Sequence, residues 1–386
     1  MTDTQKALKA TEELKDVLDR IVEFNSGGLP VVSLFLNAQA NRHGRDEYDR
    51  FVRREFSRWE GEFEANTPEG KSFRSDADRI RNYLAEEIRP STNGIVIFAC
   101  AGRDEFFLPL QIDAPIENHQ LFVFDSPHLY PLARLVDASR NYAVLVADTN
   151  RARIFVFGRG RINVNDEVQS DSLNHTQVGG WSQLRYQRHV ENLYLHHAKG
   201  TIEALDQVVR EDEIEHVIIA GDEVVIPLLQ EQMSLELARK VEDKMRIDIR
   251  TPDHEIMKRT REVFSAREAV VDKTKVDQLK AAVNGARLGV SGTADTLAAL
   301  SNGQVDELYL AAGMNEIDQE PDEVSVILEA YAPGAENEMP DSGRRRIIID
   351  ELIRRAKNTG ARIRFIAEPS LLEAMGGVGA TLRYSA

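Results

Sequence analysis

A single cysteine, Cys100, occurs in 386 residues. That excludes a disulfide framework and any Cys-rich zinc module. Basic residues are in deficit, with 48 Lys and Arg against 64 Asp and Glu, a net charge of −16. A generic nucleic-acid coat needs the opposite sign to release counterions from phosphates. Long apolar runs are missing too: Tyr142–Ala147 and Ile95–Ala101 fall far short of the roughly 20 residues that cross a bilayer. The opening MTDTQKALKATEE has no basic segment followed by an apolar one, the mark of a signal peptide. A soluble, cytoplasmic chain without a membrane partner is therefore expected.

Several chemical signatures are equally absent. No G-x-x-x-x-G-K-[ST] phosphate loop is present, and Gly376, Gly377 and Gly379 lead into strand-like residues rather than a helix. No Ser/His/Asp or Cys/His set is apparent, and Cys100 in its apolar run reads as an inert core thiol. The nine histidines are scattered. His196 and His197 are adjacent on a helix, so they point about 100° apart rather than at one ion, and read as partly exposed helix residues. No metal or cofactor is expected.

What is present describes a globular chain, 42% apolar and 29% charged, long enough for two or three domains. Apolar residues at helical spacing from Lys6 to Phe24 predict an amphipathic helix that ends near Asn25-Ser26-Gly27-Gly28. Val31–Leu36 reads as a buried strand. A helix over Asp46–Phe63 carries an arginine face of Arg50, Arg53, Arg54 and Arg58, and another covers Asp76–Ile88. Ile95–Cys100 is a strand, followed by short strands and Pro turns to Tyr130.

A new unit opens near Ser139. Strand Tyr142–Ala147 and the Asp148-Thr149-Asn150 turn lead to Arg153–Phe157, which pairs back as a hairpin. A polar stretch, Asn163–Gly180, precedes a long helix; His216–Ala220 is a buried strand and Met245–Ile249 is strand-like. The last part holds a helix-rich link, His254–Asn284, then strand Ala286–Val290, helix Asp295–Leu300 and strand Glu307–Ala311. Helix Arg346–Lys357 and strand Arg362–Ala367 follow. Residues 316–341 contain nine acidic side chains and no Lys or Arg, an exposed acidic insertion by composition.

Two constellations merit chemistry. Asp148 and Asp222 each follow a buried strand, where α/β folds place sites, and clustered carboxylates are what two-metal phosphodiester hydrolysis uses. The plainer reading makes both turn residues. The second constellation is Gly179-Gly180-Trp181-Ser182-Gln183-Leu184-Arg185-Tyr186. The glycines let a loop backbone approach another molecule, and the helix behind offers free N–H groups to an anion. Arg185 and Arg188, with Arg151, Arg153, Arg159 and Arg161 before them, supply phosphate contacts. Between Asn150 and Lys199 seven basic residues face four acidic ones, so this segment is +3 inside a −16 chain. Trp181 offers a surface on which a base can stack. The plainer alternative is a flexible loop whose Trp folds back to pack.

These segments together resemble the archaeal–eukaryotic class-1 release factor and Pelota superfamily from about Asn93 to the end. That family's middle domain opens with a hairpin like YAVLVADTNRARIFVF, then a G-G-Q loop before a helix beginning S-x-L-R-[FY]. Gly179, Gly180, Ser182, Leu184, Arg185 and Tyr186 match without a gap. GVSGTADTLAALSNGQVDELYL resembles the third domain's strand–helix–strand, and Gly376–Tyr384 resembles its G-G-[IV]-G-x-x-L-R-Y ending. Residues 1–92 match only loosely.

The resemblance implies three α/β domains in series with a tRNA-mimicking architecture. These are an N-terminal α/β domain (1–138), a middle domain with the loop (139–251) and a C-terminal α-β-α domain with the acidic insertion (252–386). It also implies a ribosomal partner, with the loop near the peptidyl-transferase centre, the Arg50 and Arg54 face against rRNA, and the C-terminal domain against a translational GTPase. Two departures limit what carries over. Trp181 stands where the family has Gln, and Gln183 is the nearest glutamine. The family's N-I-K-S string is absent, and its Y-x-C-x-x-x-F stretch appears as Phe122–His128. The expected job is occupation of the ribosomal A site in rescue or hibernation, without stop-codon decoding and without hydrolysis. The alternatives are peptidyl-tRNA hydrolysis through the Gly179-Gly180 loop and Gln183, or a metal-dependent nuclease on Asp148 and Asp222.

Overall fold

The computed structural model describes residues 14–39, 48–90, 92–112, 116–138, 142–158, 161–169, 182–285, 288–313 and 341–384. The described chain is mixed α/β, with one sheet in each third of the sequence. By contact density it forms two compact units. One holds residues 139–268, and the other holds 11–138 together with 269–386.

In the second of these units, α1 (14–22) is followed by β1 (Val31–Asn37), α2 (Tyr48–Glu62) and α3 (Pro68–Glu86). Then come β2 (Gly94–Cys100), β3 (Phe106–Ile112), β4 (Gln120–Phe124) and α4 (Tyr130–Ala138). The strands form an antiparallel sheet in the order β3-β2-β1-β4. Both faces are covered, so β1 and β2 are buried along nearly their whole length and do not alternate between apolar and polar residues. On one face Leu34, Ile95 and Ile97 pack against Phe56, Phe73 and Ile80 of α2 and α3. Helix α3 starts eight residues before the expected Asp76, because Thr67 accepts the Gly70 N–H as an N-cap and Pro68 fits the first turn. Arg74 then ties α3 to the end of α2 by donating to the carbonyls of Glu60 and Phe63, 3.2 Å each.

The other unit begins with β5 (Tyr142–Ala147), β6 (Arg151–Gly158) and β7 (Arg161–Gln169). Next are α5 (Ser182–Glu211), β8 (His216–Gly221), α6 (Val225–Gln232), α7 (Leu235–Lys240) and β9 (Val241–Met245). The sheet order is β7-β6-β5-β8-β9. Strand β8 lies parallel to β5 and β9, while β6 is antiparallel to β5 and β7. Two expectations are corrected here. The start of the polar stretch is strand β7, since pairing with β6 outweighs the low strand propensity of its Asn and Asp residues. The strand placed at Met245–Ile249 is instead Val241–Met245, and Ile247 and Ile249 pack in the core beyond its end.

Helix α8 (Asp253–Asn284) contributes its first half to this unit and its second half to the other. There it meets β10 (Gly289–Ser291), α9 (Thr293–Ser301), β11 (Val305–Ala311), α10 (Asp341–Asn358), β12 (Arg362–Ile366) and β13 (Val378–Leu382). The sheet order is β10-β13-β11-β12, with β11 and β12 parallel. Leu308, Leu310, Ile348 and Leu352 share one apolar cluster with Phe35, Val96 and Leu132. A polar clasp crosses the same cluster: Asp350 of α10 binds His128 Nδ1 at 2.7 Å and accepts the N–H groups of Leu129 and Tyr130 at 2.9 and 3.0 Å.

Candidate functional site

Parallel pairing of β5 and β8 sets Ala147 against Gly221, so Asp148 and Asp222 leave neighbouring strand ends. Gly221 is required there, because a Cβ would meet the Ala147 carbonyl at 2.5 Å and Val225 Cγ1 at 2.6 Å. Each carboxylate is engaged locally. Asp148 Oδ1 accepts the N–H groups of Asn150 and Arg151, both at 2.7 Å, which closes the β5–β6 turn. Asp222 Oδ1 accepts from Val224 and Val225 at 2.9 and 2.8 Å, leading into α6. Among the described residues no group of three or more His, Cys, Asp or Glu is arranged to hold a metal ion. The pair thus behaves as two turn acceptors on adjacent strand ends.

Helix α5 brings His197 to the β5–β6 turn. It is buried, whereas the sequence had placed both neighbouring histidines partly in solvent; only His196 is exposed. Burial lowers the His197 pKa, while the Arg151 backbone and the Asp148 carboxylate oppose that shift. The ring is accordingly a packed support for the turn.

Two arginines of the hairpin, Arg151 and Arg153, share a face of β6 by strand alternation yet meet different surroundings. Arg151 is exposed at the start of β6. Arg153 is turned into the unit: it donates to the carbonyls of Ile249 and Thr251 at 3.0 and 3.2 Å, pairs with Asp253, and lies 4.8 Å from the Phe155 ring centre. Its guanidinium anchors the chain leading into α8. No local signal announces this role, because the partners lie about 100 residues away.

Gly179, Gly180 and Trp181 lie outside the described residues. Helix α5 begins at Ser182, so Ser182, Gln183, Arg185 and Arg188 occupy its first two turns. Positions 185 and 188 are three apart and share a helix face. On α2 the arginine face is as expected: Tyr48, Val52 and Phe56 are buried, and Arg50, Arg53, Arg54 and Arg58 are exposed. Glu55 pairs with Arg54 at 2.9 Å and with Arg58 at 3.8 Å, weak surface pairs that leave the cations available to a polyanion. Cys100 is buried in β2, and its thiol is pushed up to about 11 by burial and by nearby Asp76, so it is no nucleophile.

Comparison with known proteins bears on the same stretch. Residues 127–265, which span the hairpin, α5 and the start of α8, match the family described as bacterial archaeo-eukaryotic release factor family 10. Peptide chain release factor subunit 1 of Pyrococcus abyssi (strain GE5 / Orsay) is 21% identical over 414 residues, covering 96% of this chain and 97% of that protein. The protein of the same description from Thermococcus onnurineus (strain NA1) is 24% identical over 291 residues, 66% of this chain and 68% of that one. In sequence the chain is thus similar to the release factor and Pelota superfamily, through one family model over residues 127–265 and distant relatives over nearly its whole length. Among solved structures, the archaeal translation termination factor aRF1 aligns over 97% of this chain and 98% of its own, at 17% identity and a TM-score of 0.27. Archaeal Pelota, in a model of it bound to the ribosome with ABCE1, aligns over 97% and 94% at 15% identity and a TM-score of 0.40. Within the superfamily pattern, Trp181 remains the departure, at the third position of the loop directly before α5.

Proposed function

We propose that this release-factor-like chain binds the ribosome and occupies the A site without decoding a stop codon or hydrolysing peptidyl-tRNA. One observation carries the non-hydrolytic part: Trp181 replaces the superfamily glutamine in an otherwise ungapped G-G-x-S-x-L-R-Y stretch that opens α5. Backbone N–H groups of such a loop can stabilise developing negative charge. An indole, however, has no side-chain amide with which to position water as the glutamine would. The loop then plugs the peptidyl-transferase centre, as a rescue or hibernation factor requires.

Arg151, Arg185 and Arg188 flank the loop as candidate phosphate contacts. Arg50 and Arg54 on α2 form a second candidate RNA surface, and the C-terminal α/β segment is the candidate contact for a translational GTPase. The +3 segment Asn150–Lys199 and the exposed arginines of α2 let a chain of net −16 bind one shaped RNA cavity without coating RNA generally. The nuclease alternative draws no support from Asp148 and Asp222, whose Oδ1 atoms both close turns.

Peptide release from stalled ribosomal complexes tests the reading, with wild type beside Trp181→Gln, Trp181→Ala and Gln183→Ala. Binding without release by wild type, and gain of release by Trp181→Gln, is the expected result. Release by wild type that disappears in Gln183→Ala would replace the plug with a hydrolase.

A further inference from the structure

Turn Cys100–Glu105, which joins β2 to β3, rests on one face of α3. Ser72, Asp76 and Arg79 lie on that face at i, i+4 and i+7, the spacing that aligns side chains along a helix. Ser72 Oγ accepts the Gly102 N–H at 2.9 Å, and Arg79 donates to the Glu105 carbonyl at 2.9 Å while lying 4.3 Å from the Phe107 ring centre. The grip is tight. A Cβ at Gly102 would come within 2.6 Å of Leu29 Cδ1 and 3.1 Å of Ser72 Oγ. The turn also holds two consecutive non-glycine residues in the left-handed region, Asp104 at φ 51° and Glu105 at φ 50°. L-residues adopt that conformation only under constraint.

Between the two outer contacts sits Asp76. The residue is 1% exposed, and no side-chain donor reaches either carboxyl oxygen. The titratable and charged groups around it are Arg79 on its own helix, the Cys100 thiol at the end of β2, and Arg103 in the turn, which acts on Cys100. Burial drives its pKa up, and the Ala101 backbone and Arg79 only partly offset that, leaving it at about 7.

We propose that Asp76 is a proton-operated latch: protonated, it lets α3 hold the β2–β3 turn closed, and on losing its proton to solvent it admits water and releases the turn. The sign follows from linkage. Between pH 3.8, the ordinary value, and about 7, the closed state binds a proton that the open state has lost. Closure therefore weakens as pH rises through that window and levels off above it.

Amide hydrogen exchange of the full chain at pH 5.5 and 8.5, corrected for intrinsic exchange, reads the latch directly. Protection of residues 102–106 is expected to fall about 30-fold between the two, the ratio given by a shift from 3.8 to about 7. Asp76→Asn should remove that pH dependence. Ser72→Ala should lower protection at both pH values and leave the dependence in place, which separates a structural contact from the titrating one. Carbon-detected NMR titration of the Asp76 carboxyl in the wild type gives an answer that needs no variant, with an expected midpoint near 7. A midpoint near the ordinary 3.8, or equal protection at both pH values, would overturn the proposal.

Discussion

Asp272, on the second half of α8, and Glu307, on β11, are nearly as buried as Asp76 on α3: 4%, 5% and 1% exposed. Their surroundings differ completely. Glu307 accepts from Lys275 and from the Tyr309 hydroxyl, both at 2.7 Å, with Arg364 at 3.6 Å. Asp272 pairs with Arg364 at 2.8 Å and accepts the Ala367 N–H. Burial pushes the Glu307 carboxyl upward, but the Lys275 and Tyr309 bonds outweigh it and hold the group below its ordinary value. Asp76 has the burial without such partners. Depth alone therefore does not decide whether a buried acid is charged; the donors brought to it do. One cluster fixes a helix on a sheet, and the other leaves a turn responsive to protons.

The comparison breaks most visibly at Glu307. Glu307→Ala leaves the Lys275 ammonium and the Tyr309 hydroxyl without their acceptor while Arg364 keeps Asp272, and a loss of about 3 kcal/mol in urea unfolding is expected. Replacing Glu307 and Lys275 together by Met and Leu should recover most of that loss, because the stranded charge is the main penalty. Asp350→Asn comes next. It weakens the acceptor for His128 and for two backbone N–H groups, and should cost about 2–3 kcal/mol in the same measurement.

Acid and base sharpen the contrast with opposite signs. The Glu307 contribution is present above its ordinary 4.5 and is lost as pH falls through its lowered folded value. The Asp76 term runs the other way: stability drops as pH rises from about 4 to about 7. Unfolding midpoints of wild type, Glu307→Gln and Asp76→Asn between pH 3 and 9 should show the two slopes separately. The smallest effects belong to the turn acceptors of the middle unit. Asp148→Ala and Asp222→Ala each remove a capping-type acceptor and should cost about 1 kcal/mol. Neither should alter RNA turnover with or without Mg²⁺, and a metal-dependent loss of RNA cleavage in either variant would revive the nuclease.

How much of this the sequence carried follows from how local each signal is. Strands β1, β2, β5, β8 and β11 were legible as apolar runs bounded by turn residues, and the α2 arginine face as helical spacing. Strand β7 was not, since RINVNDEVQ has no clean alternation and exists as a strand through its pairing with β6. The early start of α3 was written in Thr67-Pro68 but needed cap chemistry rather than periodicity to be seen. Other features have no local signal at all: the Arg153 anchor, the His128–Asp350 clasp, and the core shared by Phe35 and Ile348 join residues far apart in sequence. The Gly179–Arg185 motif was the reverse case, readable from sequence by resemblance.

On this reading the Gly179–Arg185 motif enters a vacant ribosomal A site. Gradient co-sedimentation of the full chain at low salt, with ribosomes whose A site is vacant and with ribosomes whose A site holds tRNA, tests it most directly. Comigration with the vacant particles and exclusion from the tRNA-filled ones is the predicted result. Failure to comigrate with either, or equal binding to both, would contradict an A-site occupant.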